Sequence, residues 1–371
     1  MAIDELRGKS PRVAVKTDIV VIGAGQAGLS SAYHLKQRDV EPGRGFIVLD
    51  QNVQAGGAWQ YRWPSLTLSR VNRVHDLPGM SFADTVTEAA ESVEAAVAVP
   101  RYFAAYEKQF ALPVYRPLKV SVVCDRAGRL RVETDRGLFS ARGIINATGT
   151  WESPFIPDYP GRESFAGIQI HTHDYRSAEM FEGKRVVVVG GGISAIQLLD
   201  EISRVAETIW VTRREPLFGD GPFNEETGRA AVKLVEARVR AGLPPNSVVS
   251  VTGLRMTPVI AAMKARGALE RRPMFSAITM DGVVWDDGKT ERVDAIVWCT
   301  GFRSSLDHLS PLQLREASGG ITMSGRLATQ VAKDARIHLV GYGPSASTVG
   351  ANRAGAAAAR ELVSLLGLTA G

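Results

Sequence analysis

The sequence predicts an α/β protein with two strand–turn–helix units, the second inserted into the first, together with a β-meander. Two short apolar strands, Thr17–Ile22 and Arg185–Val189, each run into a cluster of glycines that is followed by apolar residues at helical spacing. Further buried strands follow the second unit, at Ala295–Gly301 and Ile337–Gly343. The chain is therefore expected to return to its first domain after completing the second.

The expected domain boundaries follow from that order. The first domain is discontinuous, with residues 1–153 and 296–371, and the second comprises residues 154–295. A chain of 371 residues has the usual length for two domains. Its 45% hydrophobic and 22% charged residues are ordinary globular values, which excludes a disordered or low-complexity chain.

The first glycine cluster, GAGQAG at residues 23–28, has the spacing Gly-x-Gly-x-x-Gly. Gly23 permits the tight turn, Gly25 lets a pyrophosphate approach the backbone at the helix N-terminus, and Gly28 lets helix and strand pack closely. Asp50, at the end of the next strand, is placed to accept hydrogen bonds from ribose hydroxyls. An ordinary glycine turn with a solvated Asp is the alternative. The pattern favours a Rossmann-like dinucleotide-binding domain, with contacts from Gly23, Gly25, Gln26, Ala27, Gly28 and Asp50.

The second cluster, GGGISA at residues 190–195, repeats the pattern with a different ending. The strand that follows its helix, Thr208–Thr212, ends at Arg213 and Arg214. Guanidinium groups bind a 2′-phosphate that an acid would repel, so this second Rossmann-like domain favours NADPH over NADH. Both arginines could instead be ordinary surface residues. The predicted NADPH contacts are Gly190, Gly192, Ile193, Ser194, Ala195, Arg213, Arg214, Cys299, Thr300 and Gly301.

The remaining segments complete the two domains. Alternating apolar residues in Tyr115–Arg136 predict the β-meander, which leads into the strand Gly143–Gly149. An alanine-rich helix is predicted over Thr348–Leu366. Segment Phe223–Arg240 is also helical in pattern, and its role is open between lining a substrate channel and packing on the sheet.

Charge and cysteine content exclude several classes of protein. The chain has 44 basic and 39 acidic residues without a basic tract, so no nucleic-acid partner is expected. It lacks an apolar run of about 18 residues and an apolar N-terminal segment, so we expect a cytoplasmic protein without a membrane partner. Its two cysteines, Cys124 and Cys299, cannot form a CxxC pair, and its six scattered histidines predict no metal site.

Two further motifs carry a family resemblance. Residues 165–175 (FAGIQIHTHDY) fit the pattern FxGxxxHxxxY, and residues 56–59 (GGAW) fit a flavin-contacting GGxW segment. With these motifs the chain resembles the class B flavin-dependent monooxygenases, which include the flavin-containing monooxygenases, the plant YUCCA enzymes and similar short bacterial proteins. Baeyer–Villiger relatives carry Trp at the last motif position, where this chain has Tyr. The motif residues are Phe165, Gly167, His171 and Tyr175.

The resemblance implies a mechanism. NADPH in the second site would reduce FAD in the first, and the reduced flavin would react with O₂ to give a C4a-(hydro)peroxide. That intermediate would transfer one oxygen to a small soft nucleophile, an amine or a sulfide. Asn72 is the implied catalytic residue at the flavin edge, and His171 is implied to link the domains. The further FAD contacts implied by the family are Gly57, Ala58, Trp59, Arg62, Ala147, Thr148, Gly149, Gly341 and Tyr342.

Two alternatives stay open at this point. The same two sites could serve an NADPH-dependent reductase or oxidase that passes electrons to a quinone, a protein or O₂ without oxygenation. A noncatalytic flavin-binding redox sensor is the other alternative, with Cys299 as the residue to test. Association into a homodimer is likewise open.

Overall fold

The structure is a computed structural model that describes residues 14–71, 74–89, 91–219, 225–246 and 253–368, with the side chains of 225–229 left aside. The chain divides into two compact units. The first unit comprises Met1–Thr150, Val232–Ser247 and Ser304–Gly371. The second unit comprises Trp151–Ala231 and Val248–Arg303.

The strands and helices follow in chain order. The strands before residue 150 are β1 (Val15–Lys16), β2 (Ile19–Ile22), β3 (Phe46–Leu49), β4 (Val114–Tyr115), β5 (Val120–Arg126), β6 (Arg129–Thr134), β7 (Leu138–Ala141) and β8 (Gly143–Asn146). The strands of the second unit are β9 (Ile168–His171), β10 (Arg185–Val189), β11 (Glu207–Val211), β12 (Phe218–Gly219), β13 (Leu254–Arg255), β14 (Arg271–Arg272), β15 (Ala277–Ile278), β16 (Gly282–Val284), β17 (Thr290–Arg292) and β18 (Ala295–Trp298). The last strands are β19 (Met323–Ser324), β20 (Gln330–Val331) and β21 (Asp334–Leu339). The helices are α1 (Gln26–Lys36), α2 (Ala95–Gln109), α3 (Ile193–Ile202), α4 (Glu225–Arg240), α5 (Pro258–Ala265) and α6 (Thr348–Leu366).

The first unit is built on a seven-stranded sheet in the order β19-β20-β21-β8-β2-β3-β4. Its central strands are parallel and apolar, and β2, β3 and β8 are buried along their whole length, as expected for strands covered on both faces. Helix α1 packs against α6, where Gly355 lets the two helices approach: a methyl group there would lie 2.9 Å from the backbone nitrogen of Ser31. The predicted meander forms a four-stranded sheet in the order β1-β7-β6-β5.

The second unit is built on a five-stranded parallel sheet in the order β14-β11-β10-β18-β9. Counted from β10, which leads into the second glycine turn, the first four strands have the 3-2-1-4 order of a Rossmann domain, and β9, which precedes β10 in the chain, forms the edge beside β18. A three-stranded antiparallel sheet, β15-β16-β17, belongs to the same unit, as does the strand pair β12-β13. The predicted α/β fold with two Rossmann-like domains and a β-meander is confirmed.

The observed units differ from the expected boundaries in three places, the smallest being that the opening stretch of the first unit ends at Thr150 instead of residue 153. The second unit extends to Arg303, beyond residue 295, because β18 pairs with β10 and β9 in its central sheet. Residues from Val232 onward in α4 belong to the first unit, because Val239 is completely buried in one of its apolar clusters. Sheet pairing and side-chain burial therefore divide the chain at points that the sequence pattern does not mark.

Among the described residues, no helix combines the length and the apolar character that crossing a lipid bilayer requires.

Candidate functional site

The first glycine turn has one open position between two tightly packed ones. A methyl group added at Gly23, whose φ is +99°, would lie 2.5 Å from the carbonyl oxygen of Ala147. A methyl group on Gly28 would lie 1.8 Å from the carbonyl oxygen of Gly23. At Gly25, by contrast, it would meet no described atom within 4 Å. The turn therefore closes on the end of β8 and leaves free space at the position where the pyrophosphate is expected.

The helix that follows each glycine turn lacks a side-chain cap. Gly25 precedes α1 and Gly192 precedes α3, and no side chain among the described residues caps the first turn of either helix. Two other helices do have side-chain caps: the Thr257 hydroxyl accepts from the first turn of α5, and the Ser347 hydroxyl accepts from the first turn of α6, whereas α2 also begins without one. The two uncapped N-termini leave N–H donors and the positive end of the helix dipole for an anion.

Asp50 lies where the sequence predicts a ribose ligand, and it also has a structural role. The side chain is 3% exposed, and its Oδ2 accepts a hydrogen bond from the backbone N–H of Ala24 at 2.7 Å. Its Oδ1 accepts from the N–H of Asn52, also at 2.7 Å. Each carboxylate oxygen keeps a lone pair for a ribose hydroxyl. The same carboxylate thus ties the end of β3 to the glycine turn.

Other predicted FAD contacts lie beside this turn. A methyl group on Gly57, whose φ is +51°, would lie 3.1 Å from the Cα of Gly25. A methyl group on Gly341 would lie 3.9 Å from the Cβ of Ala27. Since Ala147 contacts Gly23, three chain segments far apart in sequence meet at the first turn. The geometry fits an adenine dinucleotide held by this turn.

The predicted segment Gly57–Arg62 adds an aromatic ring and a cation. Gly57–Tyr61, which includes Ala58, forms a short 3₁₀ helix, and Trp59 packs partly buried against the apolar core of the first unit. The Arg62 guanidinium lies 5.9 Å from the centroid of the Trp59 ring. Burial lowers the pKa of Arg62 to about 10, so the group remains a cation at neutral pH.

Three of the predicted residues need a narrower description. The Tyr342 side chain packs in the core at 4% exposure, so only its backbone remains available to a cofactor. Gln26 donates from Nε2 to Asn352 Oδ1 at 3.0 Å, and its buried Oε1 has no hydrogen-bond partner among the described residues. Asn72, the implied catalytic residue, lies outside the described residues.

A network of hydrogen bonds, which the sequence did not predict, lies behind the predicted Ala147–Gly149 segment. Asn146 is 2% exposed and accepts from His308 Nε2 at 2.7 Å, and its Nδ2 donates to the Thr148 hydroxyl at 3.0 Å. That hydroxyl donates to the carbonyl of Ser305 at 2.7 Å, and the Ser305 N–H donates to the carbonyl of Gly149 at 3.0 Å. Burial lowers the pKa of His308 to about 4, so the imidazole is neutral at pH 7. The network holds the strand end that contacts the glycine turn.

The second glycine turn repeats the open and closed positions of the first. A methyl group on Gly190 would lie 2.3 Å from the carbonyl oxygen of Cys299, whereas one on Gly192 would meet no described atom within 4 Å. Ile193, Ser194 and Ala195 form the first turn of α3. The Trp210 indole N–H donates to the carbonyl of Gly190 at 2.8 Å, a contact that sequence reasoning missed. The open position and the uncapped helix fit a second dinucleotide.

The predicted arginines lie at the exposed end of β11. Arg213 and Arg214 are both exposed, and neither forms an ion pair with a described residue. The preceding residue, Thr212, is 2% exposed, and its hydroxyl donates to the carbonyl of Arg214 at 2.7 Å. The side chain of Arg271 on the neighbouring strand donates to Thr212 at two atoms, another contact missed from the sequence.

The four motif residues support the second turn from inside the second unit. Phe165 is in the apolar cluster of that unit, and Gly167 approaches the Asp294 carbonyl so closely that a methyl group would lie 2.5 Å from that oxygen.

The other two motif residues form hydrogen bonds. His171 accepts at Nδ1 from the N–H of His173, so its Nε2–H donates to the carbonyl of Gly301 at 3.0 Å. Tyr175 is fully buried and donates to a carboxylate oxygen of Glu201 on α3 at 2.8 Å.

Cys299, Thr300 and Gly301 follow β18 directly and lie beside the second turn. Burial raises the pKa of the Cys299 thiol to about 12, so it is protonated at physiological pH. The Thr300 hydroxyl donates to the carbonyl of Phe155. The Gly301 carbonyl accepts from the N–H of Phe155 at 2.9 Å as well as from His171. This strand end is thus held by hydrogen bonds on several sides.

Comparisons with known proteins agree with this geometry. A family model described as "Pyridine nucleotide-disulphide oxidoreductase" matches residues 20–225. A solved flavin monooxygenase from Stenotrophomonas maltophilia, a double mutant, is 35% identical with a TM-score of 0.80, covering 95% of this chain and 99% of that one. The "Uncharacterized oxidoreductase CzcO" of Bacillus subtilis is 28% identical over 78% of this chain and 82% of its own length. The "Indole-3-pyruvate monooxygenase YUCCA1" of Oryza sativa subsp. japonica is 28% identical over 82% of this chain and 80% of its own length.

These similarities confirm the resemblance that the motifs indicate. The disulphide in the family's name has no counterpart here, because the chain has only two cysteines and the structure shows both as free thiols. The identity and coverage shared with the bacterial flavin monooxygenase are sufficient to assign the narrower group. The chain belongs to the pyridine nucleotide-disulphide oxidoreductase family and, within it, is a flavoprotein oxidoreductase of the flavin monooxygenase group.

Proposed function

We propose that the protein is an FAD- and NADPH-dependent monooxygenase that oxygenates a small amine or sulfide. One oxygen atom of O₂ is added to the substrate and the other leaves as water, while NADPH and a proton supply the two electrons and the hydrogens. For a tertiary amine the products are the amine oxide, NADP⁺ and water.

The observation that carries the proposal is the pair of open, uncapped glycine turns with opposite charges at the end of the next strand. In the first turn, Asp50 supplies a carboxylate for the ribose diol of FAD, and α1 supplies N–H donors for its pyrophosphate. In the second turn, Arg213 and Arg214 supply a double positive charge for a phosphate on the ribose of NADPH.

The protein's own groups bind and orient the cofactors. Gly25 and Gly192 give the space for each pyrophosphate, and the segment Gly57–Arg62 lies against the first turn. His171 and Tyr175 hold the strand end and the helix that border the second turn. A flavin bound at the first turn would supply hydride acceptance and O₂ activation, which is chemistry that no protein side chain supplies.

The proposed substrate class is consistent with the state of His171, the histidine of the family motif. A soft nucleophile such as an amine nitrogen or a sulfide sulfur reacts without a protein base. His171 would be a poor base, because burial lowers its pKa and its Nε2–H already donates to Gly301. Tyr175, at the motif position where Baeyer–Villiger relatives carry Trp, also supports heteroatom oxidation.

The structure gives the redox-sensor alternative little support. Cys299 lies beside the second glycine turn and belongs to the second unit, whereas the proposed FAD turn belongs to the first unit. Its thiol is buried, and a raised pKa of about 12 keeps it in the unreactive protonated form.

The test is a stoichiometry measurement on the purified flavin-loaded protein. NADPH oxidation, O₂ consumption and hydrogen peroxide are followed together with product formation from methyl phenyl sulfide and N,N-dimethylaniline. Close to one sulfoxide or amine oxide per NADPH, with little peroxide, supports the proposal. One peroxide per NADPH with every substrate contradicts it and indicates an oxidase, and acceptor reduction without O₂ consumption indicates a reductase.

A further inference from the structure

Strand β14 brings an unpredicted arginine to the end of β11, where the two exposed arginines lie. The two strands are parallel neighbours, with Arg271 beside Trp210 and Arg272 beside Val211. The carboxyl ends of parallel neighbours meet at the same edge of a sheet, and this edge carries the ligand in Rossmann domains. Arg271 is therefore at the edge where the ribose end of the second nucleotide is expected.

Arg271 is bound to the turn that carries Arg213 and Arg214. Its Nε donates to the Thr212 hydroxyl at 2.7 Å, and its Nη2 donates to the Thr212 carbonyl at 3.1 Å. The Thr212 hydroxyl in turn donates to the Arg214 carbonyl at 2.7 Å. The backbone N–H of Thr212 also donates to the Arg272 carbonyl at 3.2 Å. The Arg271 guanidinium is thus bound to Thr212 at one end of the three-residue turn, and the Thr212 hydroxyl connects it to the Arg214 carbonyl at the other end.

The charge of Arg271 lacks a carboxylate partner among the described residues. Its neighbour Arg272 differs, since its Nη1 lies 2.5 Å from Glu291 Oε2 and its guanidinium lies over the Trp285 ring. A half-buried guanidinium that faces only a carbonyl and a hydroxyl adds positive potential to the turn. Arg271, Arg213 and Arg214 therefore place three positive charges without a described ion-pair partner at one strand end.

We propose that Arg271 is a positioning residue for coenzyme specificity, which holds the Thr212–Arg214 turn so that Arg213 and Arg214 face the 2′-phosphate of NADPH. The proposal rests on the proposed function of the second site as an NADPH site. It assigns part of the NADPH preference to a residue two strands away from the glycine turn. Arg271 acts through Thr212, and the exposed arginines make the contact with the phosphate.

The test measures binding of NADP⁺ and NAD⁺ separately by titration calorimetry, with no need for turnover. Arg271→Ala is expected to weaken NADP⁺ binding by roughly tenfold while changing NAD⁺ binding less than twofold. Arg271→Lys, which keeps the charge but loses the paired donors, should recover only part of that loss. Arg272→Gln is the matched control on the same strand, and it should leave the ratio of the two dissociation constants unchanged.

A double-mutant cycle tests the route through Thr212. Thr212→Val removes the hydroxyl that joins Arg271 to the Arg214 carbonyl while keeping the side-chain volume. Its effect on NADP⁺ binding should be smaller in the Arg271→Ala background than alone, because the link is already broken. Additive effects would contradict this route. Thermal unfolding of each variant checks that the unit remains folded.

The outcomes separate this proposal from the proposed function. If Arg213→Ala with Arg214→Ala leaves NADP⁺ binding unchanged, the phosphate site itself is wrong. If that double variant loses NADP⁺ binding while Arg271→Ala does not, only the positioning role is overturned. Equal weakening of NADP⁺ and NAD⁺ by Arg271→Ala would also overturn it, since that result indicates general damage to the turn.

Discussion

The two glycine turns of this chain have the same local design and differ at the end of the next strand. In both, the helix starts uncapped, the glycine before it has open space, and an earlier glycine closes on a neighbouring strand end. In the first unit the next strand ends at the buried Asp50, which is held by two backbone N–H groups. In the second it ends at the exposed Arg213 and Arg214.

The difference separates two tasks of a nucleotide site. The turn and helix place a pyrophosphate, and this part can be the same for every dinucleotide. The group at the end of the next strand recognises what the ribose carries. A carboxylate suits two hydroxyls and repels a phosphate, while a pair of guanidinium groups does the reverse. If the proposed assignment of the two sites is right, one chain contains both solutions on similar sheets.

The largest expected effect comes from closing the open position of one turn. Gly25 has a φ of −84°, which any residue adopts, and a methyl group there meets no described protein atom. Gly25→Ala should therefore fold normally yet purify without its flavin, because the methyl group occupies the space of the pyrophosphate. Absorbance at the flavin bands and thermal unfolding measure the two effects.

The matched control for this prediction is Gly192→Ala in the second turn. Gly192 has a φ of −103° and the same open space. The Gly192→Ala protein should retain its flavin and lose NADP⁺ binding. A yellow, fully loaded Gly25→Ala protein would remove the assignment of the first turn.

Removing the positive charges should make the second turn less selective for NADPH over NADH. Arg213→Ala combined with Arg214→Ala should raise the KM for NADPH by roughly 30-fold, equivalent to about 2 kcal/mol, while the KM for NADH changes little. Steady-state flavin reduction with each coenzyme measures the ratio. An unchanged preference for NADPH over NADH would mean that the strand end at Arg213 and Arg214 does not differ in function from the one at Asp50.

A third, smaller effect concerns the network behind the first turn. The pKa of His308 is lowered to about 4 by burial, against 6.5 for an ordinary histidine. The folded state binds this proton less readily than the unfolded state, so the stabilisation is complete above pH 6.5 and is lost as pH falls toward 4. His308→Gln, which keeps a donor for Asn146, should reduce the loss of unfolding free energy between pH 7 and pH 5 by about 1 to 2 kcal/mol.

Urea unfolding at the two pH values measures this difference. Burial also lowers the pKa of His338 to about 4, and its Nε2 has no partner among the described residues. Wild type and His308→Gln both retain His338, so its contribution to the pH dependence is the same in the two proteins. An identical pH dependence in wild type and His308→Gln would show that His308 does not remain neutral through burial.

The smallest expected effect compares the two cysteines. Cys124 in the first unit is partly exposed, whereas burial raises the pKa of Cys299 in the second unit to about 12. A thiol reagent at pH 8 should label Cys124 and spare Cys299, and Cys299→Ser should change the rate of flavin reduction by less than about twofold. Mass spectrometry and rapid mixing provide the two readouts. Rapid labelling of Cys299 would reopen the redox-sensor alternative.

The strands, turns and helices of both units could be predicted from the sequence, because they depend on residues close together in the chain. The pattern predicted the helix Thr348–Leu366 at the observed bounds, as well as both strand–turn–helix units. The strand-end positions of Asp50 and of the two exposed arginines also followed from the local pattern, while their roles as ligands stay predictions.

Long-range pairing could not be predicted in the same way. Strand β14 has only two residues, too few for a period, so nothing marked Arg271 as the neighbour of Thr212. His308 follows Asn146 by 162 residues in the sequence, and their contact depends on how two distant segments pack. The apolar spacing of α4 indicated a helix, but only burial shows that Val239 belongs to the first unit.

The pairing of β8 has a consequence for synthesis on the ribosome. β8 pairs with β2 on one side and with β21 on the other, and the whole second unit is translated before β21 emerges. Until then the nascent first unit presents an apolar strand edge without a partner, which is a template for aggregation. A chaperone that shields this edge during translation should therefore raise the yield of folded protein more than one added after the chain is released.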